Sequence, residues 1–171
     1  MRTTIRLTVL LFLLIALSLL RAADAPATTQ AAGEGFEPIA KELGITGDLK
    51  DGVYTVSLPR KDLDVHNEDG DVPPGVLKSE FQFFRCDCGK MNVVGQFCVA
   101  EYESNDVIDA LRGGMMKVVS VSPMLQGEFP RVMIVRFQGA GGSQNLAKTI
   151  KGALEWTGEA RMAPTTRQVV R

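Results

Sequence analysis

The sequence predicts an α+β domain, an antiparallel sheet with helices packed on one face, in the order α-β-β-β-β-α-β-β-α. Some short segments alternate apolar and polar residues, as half-buried strands do, and others repeat apolar residues at helical spacing. The strands come in groups between the helices. With 45% hydrophobic and 23% charged residues, a chain of 171 residues can bury the core of one domain.

Three helices are predicted from apolar residues that recur on one face: Phe36–Leu43, Asn105–Arg112 and a segment from Ser143 to Gly158. Ser104 and Ser143 are expected to cap the second and third helices. Gly44 follows the first helix at the position where a left-handed residue commonly ends one.

Six strands are predicted from alternation: Val53–Leu58, Asp62–His66, Glu80–Arg85, Met91–Ala100, Met116–Val121 and Arg131–Gln138. The third and fourth form a hairpin around Asp87–Lys90, and residues 67–75 have the composition of a turn and loop.

The N-terminus has the pattern of an export signal. Arg2 and Arg6 precede the apolar run Leu7–Leu20, which is shorter than the ~20 residues that span a bilayer, and small residues follow it. We predict a signal peptide at residues 1–25, a flexible tether at 26–35, the domain at 36–158 and a polar tail at 159–171. The protein is then periplasmic or secreted, and it contacts a membrane only through residues 1–25 if these are not cleaved.

Charge and residue usage exclude several classes of function. The formal net charge is −1 and the basic residues are scattered, which argues against a nucleic-acid-binding protein. The single histidine, His66, has no serine or cysteine placed beside it as a nucleophile. We therefore predict no catalytic residue and no cofactor, and we favour a protein that is not an enzyme; the alternative, an enzyme, would need a reactive thiol at Cys86 or Cys98.

The three cysteines are Cys86, Cys88 and Cys98. A zinc site would require all three to converge with His66, but Cys86-x-Cys88 lacks a second pair at ligand spacing. The simpler interpretation is a hairpin with small, half-buried thiols. Export would permit a disulfide, and an odd number of cysteines leaves at least one thiol unpaired.

Two other patterns have ordinary explanations. Asp62, Asp64 and His66 alternate and could bind a cation, but a solvated acidic edge explains them better because more acidic residues follow. Residues 139–142 are glycine-rich and precede a helix, yet they lack the third glycine of a dinucleotide-binding motif. We expect a tight turn there and predict no metal site.

Arginines are the remaining candidates for ligand binding. Arg60 follows one strand, and Arg131 and Arg136 belong to another; clustered guanidinium groups bind carboxylates and phosphates well. We predict that Arg60, Asp62, Arg131 and Arg136 bind the ligand. For Arg136, an ion pair with Glu101 or Glu128 is an equally good explanation.

Four segments resemble the LppY/LpqO family of bacterial exported proteins, a domain of unknown function. They are Gly52–Val65, Pro73-Pro74, Phe129–Met133 and Leu146–Lys148, and the resemblance extends from Phe36 to Trp156. It implies an exported domain of the same fold.

The resemblance also implies a metal or polar ligand site that this chain has altered. Where family members usually carry His-Asn-His, this chain has Ser122-Pro123-Met124, and two further histidines are replaced by Arg136 and Ala140. An acidic residue is replaced by Gly142, and a Gly-Asp pair by Gly95-Gln96.

These observations lead to two hypotheses for function. The first is a non-enzymatic binding or interaction module with a degenerate family site. The alternative is a binder of an anionic small molecule or an envelope carboxylate through an arginine-lined pocket. In both, the expected partner is a small anion or an envelope component.

Overall fold

The computed structural model describes residues 35–158 of the chain. This part contains α1 (Glu37–Leu43), α2 (Ser104–Gly113) and α3 (Ser143–Leu154), with a 3₁₀ turn at Glu101–Glu103. Its strands are β1 (Asp48–Lys50), β2 (Val53–Pro59), β3 (His66–Asn67), β4 (Gly70–Asp71), β5 (Lys78–Arg85), β6 (Met91–Ala100), β7 (Lys117–Pro123) and β8 (Val132–Gly141). The predicted residues 1–25, nearly all of the tether and the tail 159–171 lie outside the described residues.

Six strands form one sheet in the order β1-β2-β5-β6-β8-β7, and each strand is antiparallel to its neighbours. Strands β3 and β4 pair separately as a small hairpin. All three helices contribute buried residues to a single core with one face of the sheet. The predicted α+β class, with helices on one face of an antiparallel sheet, is confirmed.

Three phenylalanine rings lie at the centre of this core. Phe81, Phe97 and Phe137 have ring centroids 4.9, 5.5 and 6.0 Å apart. Gly95 lies on β6 beside them, and a Cβ at this position would be 3.0 Å from the ring of Phe137. Glycine therefore lets the ring pack directly against the strand.

The second face of the sheet is covered over only part of its area. Residues 60–77, here called the covering segment, place three buried side chains on this face: Leu63, Val65 and Leu77. These pack on Cys98, Ala100, Val132 and Ile134, which we call the covered half. The backbone N–H of Arg60 donates to the carbonyl of Leu77 at 2.7 Å and so joins the two ends of the segment.

The remainder of this face is the open half. It consists of the outward-facing residues of β2, β5, β6, β8 and β7 that the covering segment does not reach, such as Glu80 and Gln82 on β5 and Asn92 and Gln96 on β6. Most are polar, and their side chains are exposed or half-buried. This is the surface that a ligand could reach.

The prediction of a strand over Asp62–His66 is wrong. Asp62 lies in a turn, residues 63–65 are irregular, and only His66 enters a short strand. Leu63 and Val65 alternate with acidic residues because they pack down onto the covered half, not because they pair with another strand. The short and polar β1 was not predicted at all.

Three local predictions also need correction. Ser104 and Ser143 are the first helical residues of α2 and α3, and neither helix has a side-chain cap. The Ser104 hydroxyl instead donates to the carbonyl of Ala100 at 3.4 Å. Residues 139–141 continue β8, and the expected tight turn is absent, because Gly142 is extended and joins the strand directly to α3. By contrast, Gly44 does end α1 with a φ of 69°.

No helix within residues 35–158 combines the length and the apolar character needed to cross a membrane.

Candidate functional site

A row of five polar side chains crosses the open half of the sheet. Successive strands pair Ser57 with Glu80, Glu80 with Gln96, Gln96 with Arg136, and Arg136 with Ser120. Directly opposite residues on antiparallel strands have Cβ atoms about 4.5–5.5 Å apart, so each side chain lies within reach of the next. Arg136 is exposed near the middle of this row.

A cleft lies beside the row, at the corner where β7 begins. It has a volume of about 360 Å³, at the small end of the range of roughly 300–1,000 Å³ that ligand sites occupy. Its walls combine apolar and polar side chains from β5, β6, β8 and the start of β7: Phe84, Asn92, Val94, Met115, Lys117 and Gln138. Lys117 is paired with Gln138, and Gln138 lies two residues from Arg136 on the same strand.

The charges of the open half are unbalanced. Glu80 is already paired with a cation, because Lys78 Nζ lies 3.0 Å from its carboxylate, and the amide of Gln82 also donates to it at 3.3 Å. Within residues 35–158, no carboxylate pairs with Arg136 or Lys117. The open half therefore presents two neighbouring cations that an anionic ligand could neutralise.

Neither ion pair proposed for Arg136 forms. Glu101 lies 4.0 Å from the guanidinium of Arg131. Glu128 is buried and accepts a hydrogen bond from the backbone N–H of Val132 at 3.3 Å. Within residues 35–158, therefore, neither of these two carboxylates pairs with Arg136.

Arg60 and Asp62 lie together, but in a buried network at the start of the covering segment. Asp62 accepts from Nε of Arg60 at 2.9 Å and from a terminal nitrogen at 2.7 Å. Glu103 accepts from both terminal nitrogens, at 2.9 and 3.1 Å, and the carbonyl of Cys98 accepts at 2.7 Å. All five N–H groups of the guanidinium are engaged, so Arg60 has none left for a ligand.

The network holds its charges firmly. Burial disfavours the charged form of Arg60, but hydrogen bonds to Asp62 and Glu103 outweigh this effect and raise its pKa. The hydrogen bonds that Arg60 donates to Asp62 in turn hold the pKa of that carboxyl below its usual value.

Glu103 was not identified from the sequence, yet it is the central acceptor of this network. Its side chain is only 1% exposed, and it also accepts from the backbone N–H groups of Ala100 at 2.8 Å and Gly158 at 2.7 Å. It therefore ties the covering segment, the end of β6 and the residues after α3 to one carboxylate. The available signal was its position three residues after the end of β6 and just before α2, where acidic residues commonly satisfy backbone N–H groups.

The predicted ligand-binding set is thus divided among three places. Arg60 and Asp62 belong to the buried network, and Arg131 lies 57% exposed just before β8, near Glu101. Arg136 alone lies on the open half. None of the four lines the cleft, but Arg136 lies one row away from it.

The acidic pattern around His66 forms no cluster. The His66 ring contacts that of Phe129, with centroids 5.8 Å apart, and Asp62 is bound to Arg60. Among the residues that the structure describes, no three histidine, cysteine, aspartate or glutamate side chains are grouped so that they could hold a metal ion.

Two of the cysteines are oxidised, which corrects the expectation of half-buried thiols in the hairpin. Cys86 and Cys88 form a disulfide at its tip, where their Cα atoms lie 5.1 Å apart, within the usual range for such a bond. The third, Cys98, is a free thiol, as the odd number required, and it is buried on the covered half. It donates to the thioether of Met124 at 3.9 Å, and burial raises its pKa to about 11.

Several of the positions altered relative to the resembled family pattern lie on this same face. Gln96 and Arg136 are directly opposite, Ser122 pairs with Ile134, and Ala140 pairs with Asn92 beside the cleft. Met124 packs against the covered half. The fold thus brings together residues that are far apart in the sequence.

Comparison with known proteins gives one match. The model of a family described as Domain of Unknown Function (DUF1259) matches residues 37–156, which is most of the chain and nearly all of the described part. No curated protein and no solved structure matches the chain. On the length of that match, the chain belongs to the DUF1259 family of domains of unknown function.

Proposed function

We propose that this protein is an exported, non-enzymatic binding module that holds an anionic small molecule or an envelope carboxylate on the open half of its sheet. The observation that carries this proposal is the position of Arg136. Its guanidinium is exposed in the middle of a polar row and has no ion-pair partner within residues 35–158. A guanidinium binds a carboxylate with two parallel hydrogen bonds, and Lys117 nearby adds a second positive charge.

Export is supported by two independent features. Residues 1–25 have the order of a signal peptide, with basic residues followed by a short apolar run and small residues. The disulfide between Cys86 and Cys88 belongs to an oxidising compartment, such as the periplasm or the extracellular space.

The resemblance to the LppY/LpqO family supports the position of the site. The residues that replace the usual histidines and carboxylate include Gln96, Arg136 and Ala140, and these line or border the open half. An imidazole can bind a metal cation, whereas the guanidinium that replaces it at Arg136 is itself positively charged and binds anions. In this proposal the chain keeps the family's binding surface and has changed the charge of what it binds.

A non-enzymatic role is supported by the surroundings of Cys98, the candidate nucleophile, and of His66, the candidate base. Cys98 is buried with a pKa of about 11, so its reactive thiolate form is scarce at neutral pH. His66 contacts Phe129 and belongs to the β3–β4 hairpin, not to the cleft.

The test is a binding titration of the purified full-length chain with acetate, succinate, citrate and inorganic phosphate, followed by calorimetry. Arg136→Ala should weaken binding of at least one of these anions about tenfold or more, because a hydrogen-bonded charge pair is lost. Arg112→Ala, which removes an exposed arginine from α2, should leave binding unchanged. Equal binding by the native chain and Arg136→Ala would overturn the proposal.

A further inference from the structure

The side chains that line the cleft include more chemical types than a site for a simple anion requires. A simple carboxylate or phosphate needs only hydrogen-bond donors and positive charge, which Arg136 and Lys117 supply. The cleft adds side-chain amides and apolar surface next to these cations. This combination narrows the chemical class of the ligand.

Three side-chain amides line or border the cleft: Asn92, Gln96 and Gln138. In the described part of the chain, none of these amides is hydrogen-bonded to another protein group, and all three are half-buried or exposed. Each amide offers two donors and one acceptor oxygen, and a hydroxyl offers one donor and two acceptors. Amides therefore match a ligand with several hydroxyls, whereas an anion that only accepts would leave their oxygens unused.

Apolar side chains occupy the neighbouring positions. Phe84 is half-buried, Val94 is 39% exposed and Met115 is 90% exposed, and all three line the cleft. A sugar ring has apolar C–H faces between its hydroxyls, and such a face can cover these side chains and remove their surface from water. A small polar anion would leave them in contact with solvent.

The cations lie on one side of these groups. Lys117 is directly opposite Gln138, and Arg136 lies two residues from Gln138 along β8, a separation of about 7 Å. A ligand that lies against Phe84 and bonds to Asn92 and Gln138 would extend toward these charges. Its negative group would therefore be at one edge of the ring.

We propose that the ligand is an acidic sugar, a pyranose ring with a carboxylate, either free or as a unit of an envelope polysaccharide. The inference rests on the proposed function, because the carboxylate is held by Arg136. The side-chain amides bind the hydroxyls, and the apolar side chains contact the ring. The size of the cleft suits one or two sugar units.

The test uses three matched probes: D-glucuronate, D-glucose and acetate. Glucuronate has both the ring and the carboxylate, whereas glucose and acetate each have one. Each is titrated into the purified full-length chain, and the side-chain amide signals of Asn92, Gln96 and Gln138 are followed by NMR. A short polymer, digalacturonate, is added to distinguish a polysaccharide unit from a free sugar acid, and it should bind more tightly if the natural ligand is a polymer.

We expect glucuronate to bind at least about tenfold more tightly than glucose or acetate, and to shift the three amide signals. Gln138→Ala should weaken glucuronate binding several-fold to tenfold, and it should weaken acetate binding less. Gln144→Ala, which removes an exposed amide from the first turn of α3, is the control and should have no effect.

Acetate or phosphate that binds as tightly as glucuronate would overturn the sugar assignment and leave the anion site standing. Glucose that binds as tightly as glucuronate would show that the carboxylate adds nothing to sugar binding and would overturn the acidic-sugar assignment. Failure of glucuronate and of every tested anion to bind would contradict the proposed function itself.

Discussion

The covered and open halves of the second sheet face are built from the same strands but carry different side chains. On the covered half, Cys98 and Ile134 are buried beneath the covering segment. A few residues earlier on β6, and later on β8, Gln96 and Arg136 occupy the same face and remain accessible. Both halves share the helix-side core beneath them.

The difference follows from burial along single strands. The last four residues of β6, Phe97–Ala100, are all buried, as expected for a strand with both faces covered. In the first residues of β6, buried positions alternate with more exposed ones, which is the pattern of a strand that has one face in solvent. The position where the pattern changes marks the edge of the covering segment, and beyond it the chain has polar groups available for binding.

The charges of the two halves are also handled differently. Arg60, beside the covered half, has all of its N–H groups bound to protein acceptors. Arg136 on the open half has no ion-pair partner in the described part of the chain. The same residue type therefore serves stability in one place and, in the proposed function, binds the ligand in the other.

The largest expected effect is on the buried network. Glu103→Gln should lower the free energy of unfolding by about 4 kcal/mol, because it removes the more deeply buried of the two carboxylates that neutralise a buried guanidinium. Glu101→Gln, two residues earlier and exposed, should change it by no more than about 0.5 kcal/mol. Urea denaturation of the purified chain measures both.

If Glu103→Gln were as stable as Glu101→Gln, the network would not secure the covering segment. There would then be no energetic evidence that Arg60 serves stability in a way that Arg136 does not.

The next largest effect is on the covering segment itself. Leu77→Ala should lower the free energy of unfolding by about 3 kcal/mol, because Leu77 is fully buried and truncation leaves a cavity above the covered half. Val76→Ala, at the adjacent and 49% exposed position, should cost less than about 0.5 kcal/mol. Similar losses for both variants would show that the segment does not cover the sheet in solution.

Much of this fold could be predicted because its signals are local. The helix at Phe36–Leu43 and the hairpin around Asp87–Lys90 depend on spacing and turn residues within short segments, and the structure has both. The prediction of a strand over Asp62–His66 was wrong because alternation shows only that one side of a segment is buried. It does not show that the segment pairs with another strand. Leu63 and Val65 acquire their buried side from Cys98 and Ala100, which are more than thirty residues away.

The candidate site was less accessible to sequence reasoning for the same reason. Arg136 could be identified as outward-facing from its alternation with Val135 and Phe137. Its lack of a partner depends on where Glu101 and Glu128 lie, which only the fold determines. Arg60 attracted attention for its charge, but its partner Glu103 is 43 residues away and gave only a weak local signal.

A smaller effect is expected from pH at the edge of the network. Arg60 holds the pKa of Asp62 below its usual value, so this interaction stabilises the fold above the unfolded pKa of about 3.9 and is lost as the pH falls through the folded pKa. Asp62→Asn should lower the free energy of unfolding by about 1 kcal/mol at pH 7, a modest value because the carboxylate is partly exposed. The difference from the native chain should shrink as the pH falls below about 4.

Unfolding at a series of pH values from 7 to 2.5 measures this difference, and Asp64→Asn, at an exposed aspartate in the same segment, is the control. A difference that stayed constant down to the lowest pH would mean that Asp62 contributes by its shape or its neutral hydrogen bonds rather than by its charge.

The smallest expected change in stability is at the site proposed for function. Arg136→Ala should alter the free energy of unfolding by no more than about 0.5 kcal/mol, because the side chain is exposed and unpaired in the described structure. The same variant should lose most of its anion binding. Denaturation and calorimetry on one preparation test the two results together, and Arg136→Lys, which keeps the charge without the planar fork, should retain part of the binding. A large loss of stability in Arg136→Ala would place Arg136 with Arg60 among the structural arginines, and the contrast between the two halves would no longer identify a binding surface.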